Sequence, residues 1–280
     1  MRLLPAVPRA SAGSSRAATG EAVAAGARVG FVGRGVIYAL VGVIALRIAF
    51  SDGGRRQADR GGAVAELAQK PFGNVLLWLL GIALAGMALW RLSEVFSGTA
   101  GPDGGTAAKR AMAAARCLFY GFVSYSVLAY AAGDAGSGSG SSDRRTKDVT
   151  AEVLGWPAGQ WIVGVAGAVV LGAGLWIAVR ACLRTFHRHL TLSRMSRGTR
   201  RAADVLGVTG GAARGAVFAT AGGFAVAAAL RHEPGAAKGL DNTLRSFSAT
   251  VAGPWLLAAI GLGLIAFGAF SWLMARWRRL

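Results

Sequence analysis

Acidic side chains are scarce: 13 Asp+Glu stand against 31 Lys+Arg, and charged residues of both signs make up only 16% of the 280 residues. Soluble domains carry about 25%. Hydrophobic residues reach 54%, which excludes a disordered chain. Cysteine is limited to Cys117 and Cys182, too few for a disulfide framework. No Asp, Glu or His interrupts the centre of an apolar run. That weighs against a proton-coupled transporter or an intramembrane protease, which need ionisable groups or a nucleophile–base pair at depth. Ser124 and Ser126 have no basic partner in the pattern, so no enzyme is expected. Gly30–Gly35 (GFVGRG) superficially evokes a phosphate loop but lacks the preceding strand and βαβ unit a dinucleotide fingerprint needs, so no cofactor is expected.

What the chain does have is a set of long apolar runs and a net charge of +18. A bilayer crossing needs about 20 apolar residues. Stretches free of Asp, Glu, Lys and Arg run through Pro71–Trp90, Cys117–Gly133, Val153–Val179, Gly215–Leu230 and Ser246–Ala275. Phe31–Phe50 joins them with Arg34 and Arg47 near its two ends, where arginines snorkel toward headgroups. The pattern predicts an all-α, polytopic membrane protein with six transmembrane helices. The proline- and serine-containing start has no signal-peptide core and reads as a disordered tail over 1–28, and Gly136–Ser142 (GSGSGSS) reads as a flexible loop.

With six spans both termini share a side. That side holds seventeen of the basic residues, the opposite loops hold ten, and Arg34, Arg47, Arg116 and Arg214 sit in helix ends; nine of the acidic residues lie opposite the termini. The positive-inside rule then places both termini in the cytoplasm of a multi-pass protein of the plasma (inner) membrane. Cys117 and Cys182 fall near that reducing side, so no disulfide is expected.

The sequence repeats three times. Arg34-Gly35-Val36-Ile37-Tyr38 corresponds to Arg116-Cys117-Leu118-Phe119-Tyr120 and to Arg214-Gly215-Ala216-Val217-Phe218. Downstream, Pro71–Leu77 matches Pro157–Val163 and Val251–Leu257, with the repeat glycines at Gly73, Gly159 and Gly253. An aromatic follows at Trp90, Trp176 and Phe270. Each unit is an arginine opening an outgoing helix, a loop and a returning helix. Two spans per unit make the repeats parallel, with a pseudo-three-fold axis along the membrane normal. The layout is repeat 1 over 29–98, repeat 2 over 107–190 with a basic connector to 204, and repeat 3 over 205–280. Val64/Leu67/Ala68 and Leu240/Leu244/Phe247 have the spacing of short interfacial helices before the returning spans.

The Arg-Gly-Val-Ile-Tyr start, Ala45-Leu46-Arg47, Gln69-Lys70-Pro71-Phe72-Gly73 and Ala88-Leu89-Trp90-Arg91 resemble an actinobacterial membrane family known as domain of unknown function twelve-oh-six. The resemblance covers nearly all of the chain after Val29 and implies three tandem copies of a two-helix unit in a membrane. It brings no activity, cofactor or site residues.

Two groups of arginines stand out. Arg34, Arg116 and Arg214 either snorkel to anionic phosphates and fix helix depth or gather into a ring that binds an anion or a lipid headgroup. Arg34 with Glu94 and Arg47 with Glu66 are further possible pairs. Arg180, Arg184 and Arg188 recur every four residues, with Cys182, Phe186 and Leu190 as a parallel apolar stripe, and read as one face of a helical extension lying on anionic inner-leaflet lipids. Nucleic acid is not expected, for want of a reading module. Cys182, His187 and His189 do not face one way on a helix, so no metal is expected. Two functions follow: a non-enzymatic structural, scaffolding or lipid-interacting membrane protein, or a small channel or permease for an anion or lipid built on the arginine ring. An oligomer is compatible with both.

Overall fold

The structure, a computed structural model, describes residues 12–50, 60–69, 71–97, 106–133, 142–238, 240–248 and 253–278. Among these the chain is almost wholly helical. The α-helices are α1 (Ala12–Phe50), α2 (Arg60–Ala68), α3 (Gly73–Ser97), α4 (Ala107–Ala131), α5 (Ser142–Leu154), α6 (Gly159–Cys182), α7 (Arg197–Arg231), α8 (Leu240–Ser248) and α9 (Gly253–Trp277). Six of them, α1, α3, α4, α6, α7 and α9, are long and apolar enough to cross a membrane. The chain is a multi-pass α-helical membrane protein.

Each outgoing helix is longer than its uncharged run. The segment expected to be a tail over 1–28 is helical from Ala12 onward. Its Ala-rich stretch favours helix, and Gly26 lies against Gly86 of α3. α7 likewise starts at Arg197, where the Ser196 hydroxyl accepts from the Thr199 amide at 3.1 Å. The repeated arginines therefore lie inside their helices and do not open them. The Gly136–Ser142 loop lies outside the described residues, except that Ser142 begins α5.

The first two returning helices start alike. Phe72 and Ala158, each just before a repeat glycine, adopt left-handed backbone, with φ of 61° and 63°. The chain turns so sharply there that a Cβ on Gly73 would collide with the carbonyl of Ala68, and one on Gly159 with that of Val153. The short helices α2 and α5 thus butt against the starts of α3 and α6, and α8 packs on α9. Two of them, α2 and α8, follow the apolar spacing described above.

The six long helices pack in chain order around a ring: α1 on α3, α3 on α4, α6 on α7, α7 on α9, and α9 back on α1. The seams between repeats are equivalent. At α9–α1, Gly261 lies against Gly42 and Gly268 against Gly35; at α6–α7, Gly167 lies against Gly222 and Gly174 against Gly215. Small residues let helix backbones touch where lipid removes the hydrophobic driving force. At α3–α4 the corresponding pairs are Gly81 with Ser124 and Ala88 with Cys117. There the Ser124 hydroxyl donates to the Gly81 carbonyl at 2.8 Å.

Seams within repeats are not all alike. Gly30 abuts Met87 in repeat 1, and Gly210 abuts Phe267 in repeat 3. One turn away, Gly33 meets Ala83 and Gly263 meets Ala213. In repeat 2 these places fall to Met112 with Ala173 and Ala115 with Val169, and α4 and α6 do not pack in the way the other neighbours do. Met112 is 53% and Val169 65% exposed, and nothing lies within 4 Å of a Cβ on Gly172. The ring is open at this one seam.

Candidate functional site

The three repeated arginines sit at one level of the ring, toward the end that carries the chain termini, and they converge. Arg34 is half-buried. It donates from Nε to the Ser271 hydroxyl at 3.2 Å and also hydrogen-bonds the Tyr120 hydroxyl. Arg214 is within electrostatic reach of Arg34, and Arg116 of Arg214. Two further arginines join them: Arg91 from the end of α3, and Arg278 just past α9. Among the described residues, five guanidiniums thus share one chamber with a single carboxylate, Glu94.

Aromatic rings interleave these charges. Arg91 lies over Trp90 at 4.0 Å, and Arg278 over Trp90 at 4.7 Å and Phe31 at 5.1 Å. Arg34 follows over Phe31 at 4.7 Å and Phe267 at 5.2 Å, and Arg214 over Phe267 at 5.0 Å. Each ring presents a negative face to two cations. That offsets part of the repulsion, and the rings also exclude water.

Glu94 hydrogen-bonds Arg91 one helical turn away, both groups being buried. The pair of Arg34 with Glu94 does not form: Arg34 bonds Ser271, and Arg91, on the same helix as Glu94, takes the carboxylate. The other suggested pair, Arg47 with Glu66, rests on a side chain outside the described residues. Two guanidinium nitrogens in the chamber, Nε of Arg91 and Nε of Arg214, are buried with no hydrogen-bond partner among the described residues. The repeat explains the second. Ser271, Arg91 and Ile177 are equivalent positions: Ser271 bonds Arg34 and Arg91 lies within electrostatic reach of Arg116, each the arginine of the next repeat, and by register Ile177 is the counterpart for Arg214. Ser271 supplies Arg34 with an acceptor; Ile177 has none to supply to Arg214.

The connector after α6 closes the terminal end. A helical extension bearing Arg180, Arg184 and Arg188 on one face is not what the chain forms. α6 stops at Cys182, Arg184 turns left-handed with φ of 51°, and the chain continues as 3-10 turns over Thr185–His189 and Leu192–Arg194. The Thr191 amide then donates to the Trp277 carbonyl at 3.0 Å, and Leu190 bridges Arg278. The cause is apolar demand: Leu190 is 1% and Met195 6% exposed, packed with Phe31, Met87 and Trp90. Phe186 sits 4.9 Å from Phe270, while Cys182 stays exposed. The anticipated apolar stripe therefore splits, and the three arginines point to separate surroundings. Arg180 bonds Thr185 at 3.2 Å, Arg184 lies 3.7 Å from Asp204, and Arg188 is exposed. His187 hydrogen-bonds Asp204.

Outside the spans, burial and then the Arg91 and Arg34 charges push the Arg278 guanidinium down to about 9. Burial, Arg278 and Arg180 push the His189 imidazole down as well, keeping it neutral at pH 7. Both shifts report the same excess of positive charge. Among the described residues no group of three or more His, Cys, Asp or Glu could hold a metal ion.

The profile of a family described as Domain of Unknown Function (DUF1206) matches residues 29–98, 111–184 and 209–278, one match per hairpin. The chain belongs to this family. The three matches agree with the three hairpins seen in the packing. A relative from Bacillus subtilis (strain 168), the uncharacterised protein YxxB, is 27% identical over 244 residues, 87% of each chain. Nothing in these matches supports the actinobacterial qualifier. No solved structure matches.

Of the chamber's residues, Arg34, Arg116 and Arg214 stand out in the sequence because they repeat. Arg91, Arg278 and Ser271 do not. The available signal was the alignment of Arg91, Ile177 and Ser271 one residue beyond the repeat aromatics, which marks the side chain facing each arginine.

Proposed function

We propose that this protein is a non-enzymatic, lipid-interacting protein of the cell membrane, with both termini in the cytoplasm, that binds an anionic headgroup in its arginine chamber. The observation that carries this reading is the pair of buried, unpartnered guanidinium nitrogens on Arg91 and Arg214 amid five arginines and one carboxylate. Unpaired charge in a low-dielectric interior costs several kcal/mol per ion, and oxygens of a bound anion would offset it through charge-assisted hydrogen bonds. Binding accounts for the chamber better than conduction. On the loop side of the arginines, α1, α7 and α9 meet in an apolar cluster of Val41, Ile44, Val217, Leu257 and Leu264. Two serine hydroxyls serve structure: Ser124 bonds Gly81, and Ser271 bonds Phe267 as well as Arg34.

Native mass spectrometry of the protein from nanodiscs tests the reading. The parent should retain phosphatidylglycerol over phosphatidylcholine, and the triple change Arg34→Gln, Arg116→Gln, Arg214→Gln should lower retention at least tenfold. Equal retention of both lipids, or an unchanged triple variant, contradicts it. Alkaline phosphatase fused after Leu280 should be inactive and fused within 136–142 active; the reverse pattern overturns the orientation.

A further inference from the structure

The chamber is closed on the terminal side by Leu190 and the connector, and on the loop side by the apolar cluster of α1, α7 and α9. One flank differs. Of the three repeated arginines only Arg116 is exposed, and it belongs to α4, one wall of the open seam. The facing wall, α6, carries Arg180 at its terminal end, with the Trp176 ring 5.9 Å from its guanidinium. By repeat register the seam between them is walled by Met112 and Ala115 on α4 and by Val169 and Ala173 on α6, apolar residues where the other hairpins interlock. An exposed cation thus stands at the inner end of an apolar slot that faces the bilayer and leads toward guanidiniums in need of acceptors.

We infer that the α4–α6 seam is a lateral portal for an anionic glycerophospholipid, whose phosphate group reaches Arg116, Arg91 and Arg214 while an acyl chain fills the slot between the two helices. This rests on the reading of the chamber as an anion site, and it adds the ligand's second half. A free anion would satisfy the guanidiniums but leave the slot unexplained. A second copy of the chain would cover the slot but carry no phosphate to the arginines.

The test separates head from tail. Met112→Trp with Ala173→Trp fills the slot at positions that face outward, and retained thermal stability in detergent checks that the fold persists. In nanodiscs these changes should lower phosphatidylglycerol retention at least tenfold yet leave binding of soluble glycerol phosphate within twofold. The triple arginine change should lower both. A phosphatidylglycerol bearing a diazirine on its acyl chain should label peptides of 107–131 and 159–182 in the parent, and not in the filled variant. Unchanged lipid retention, or labelling spread evenly over α1 and α9, overturns the portal while leaving the anion site standing. So does a dimer that the filling changes dissociate. Failure of every ligand to bind overturns both.

Discussion

In the first and third hairpins a glycine on the outgoing helix lets the returning helix close in, Gly30 on Met87 and Gly210 on Phe267, whereas the second hairpin places Met112 and Ala173 there and its helices stay apart. The difference teaches that pseudo-symmetry here is set seam by seam. The three seams between repeats hold the ring together through small residues at equivalent places. The seams within repeats are free to vary, and one of them has opened beside the most accessible repeated arginine.

That contrast is easiest to break at the backbone contacts. Gly222→Ala pushes a methyl into Leu171 and the Gly167 carbonyl and should destabilise the protein by about 1–3 kcal/mol. Gly172→Ala, with open space around it, should be neutral or stabilising by up to about 1 kcal/mol. Reversible unfolding in detergent measures both; equal losses would mean that the α4–α6 seam is packed after all.

The next effect lies in the arginines. Ser271→Ala strands the Nε of Arg34 and should cost about 1–3 kcal/mol. Ile177→Ser gives Arg214 the hydroxyl that Arg34 already has, and should stabilise the ligand-free protein by about 0.5–1.5 kcal/mol while weakening phosphatidylglycerol retention several-fold. A gain in retention would contradict the idea that Arg214 awaits an outside acceptor.

A titration sharpens the comparison from the ligand side. The Arg278 guanidinium is held at about 9, well below its ordinary value, mainly by burial and then by Arg91, Arg34 and Arg116, with Glu94 opposing. Its charged form is disfavoured in the fold, so the unfolded chain binds more protons above this value and the ligand-free protein gains stability as pH rises through it. Anion binding favours the charged form. Affinity should therefore fall, by up to about tenfold between pH 9 and 10, and Arg278→Gln should remove that step in titrations followed by native mass spectrometry. Ser124→Ala removes a hydroxyl tie across α3–α4 and should cost about 0.6–1.7 kcal/mol.

The repeat made much of this fold legible. Six spans, three hairpins and the landmark glycines follow from apolar runs and register, and the short helices α2 and α8 follow from Leu67 and Leu244 spacing. α5 escaped because Ser142–Leu154 is polar and follows a Gly/Ser tract. Helix ends escaped because a charge marks the edge of an uninterrupted apolar run, while Arg34 and Arg214 lie half-buried inside longer helices under aromatic cover. The connector misled for a similar reason. Arg180, Arg184 and Arg188 have helical spacing, but Phe186, Leu190 and Met195 gain more by folding into the bundle than by lying on a surface. The convergence of Arg91 and Arg278 on the repeated arginines depends on tertiary packing, and the open seam becomes visible only when Met112 and Ala115 are set against Gly30 and Gly33.

A cryo-electron microscopy map of the protein in phosphatidylglycerol nanodiscs tests the account most directly. It should show headgroup density beside the Nε of Arg214 and continuous acyl density between α4 and α6. An empty chamber, or a slot closed by direct contact of α4 with α6 or by a helix of a second copy, would contradict it.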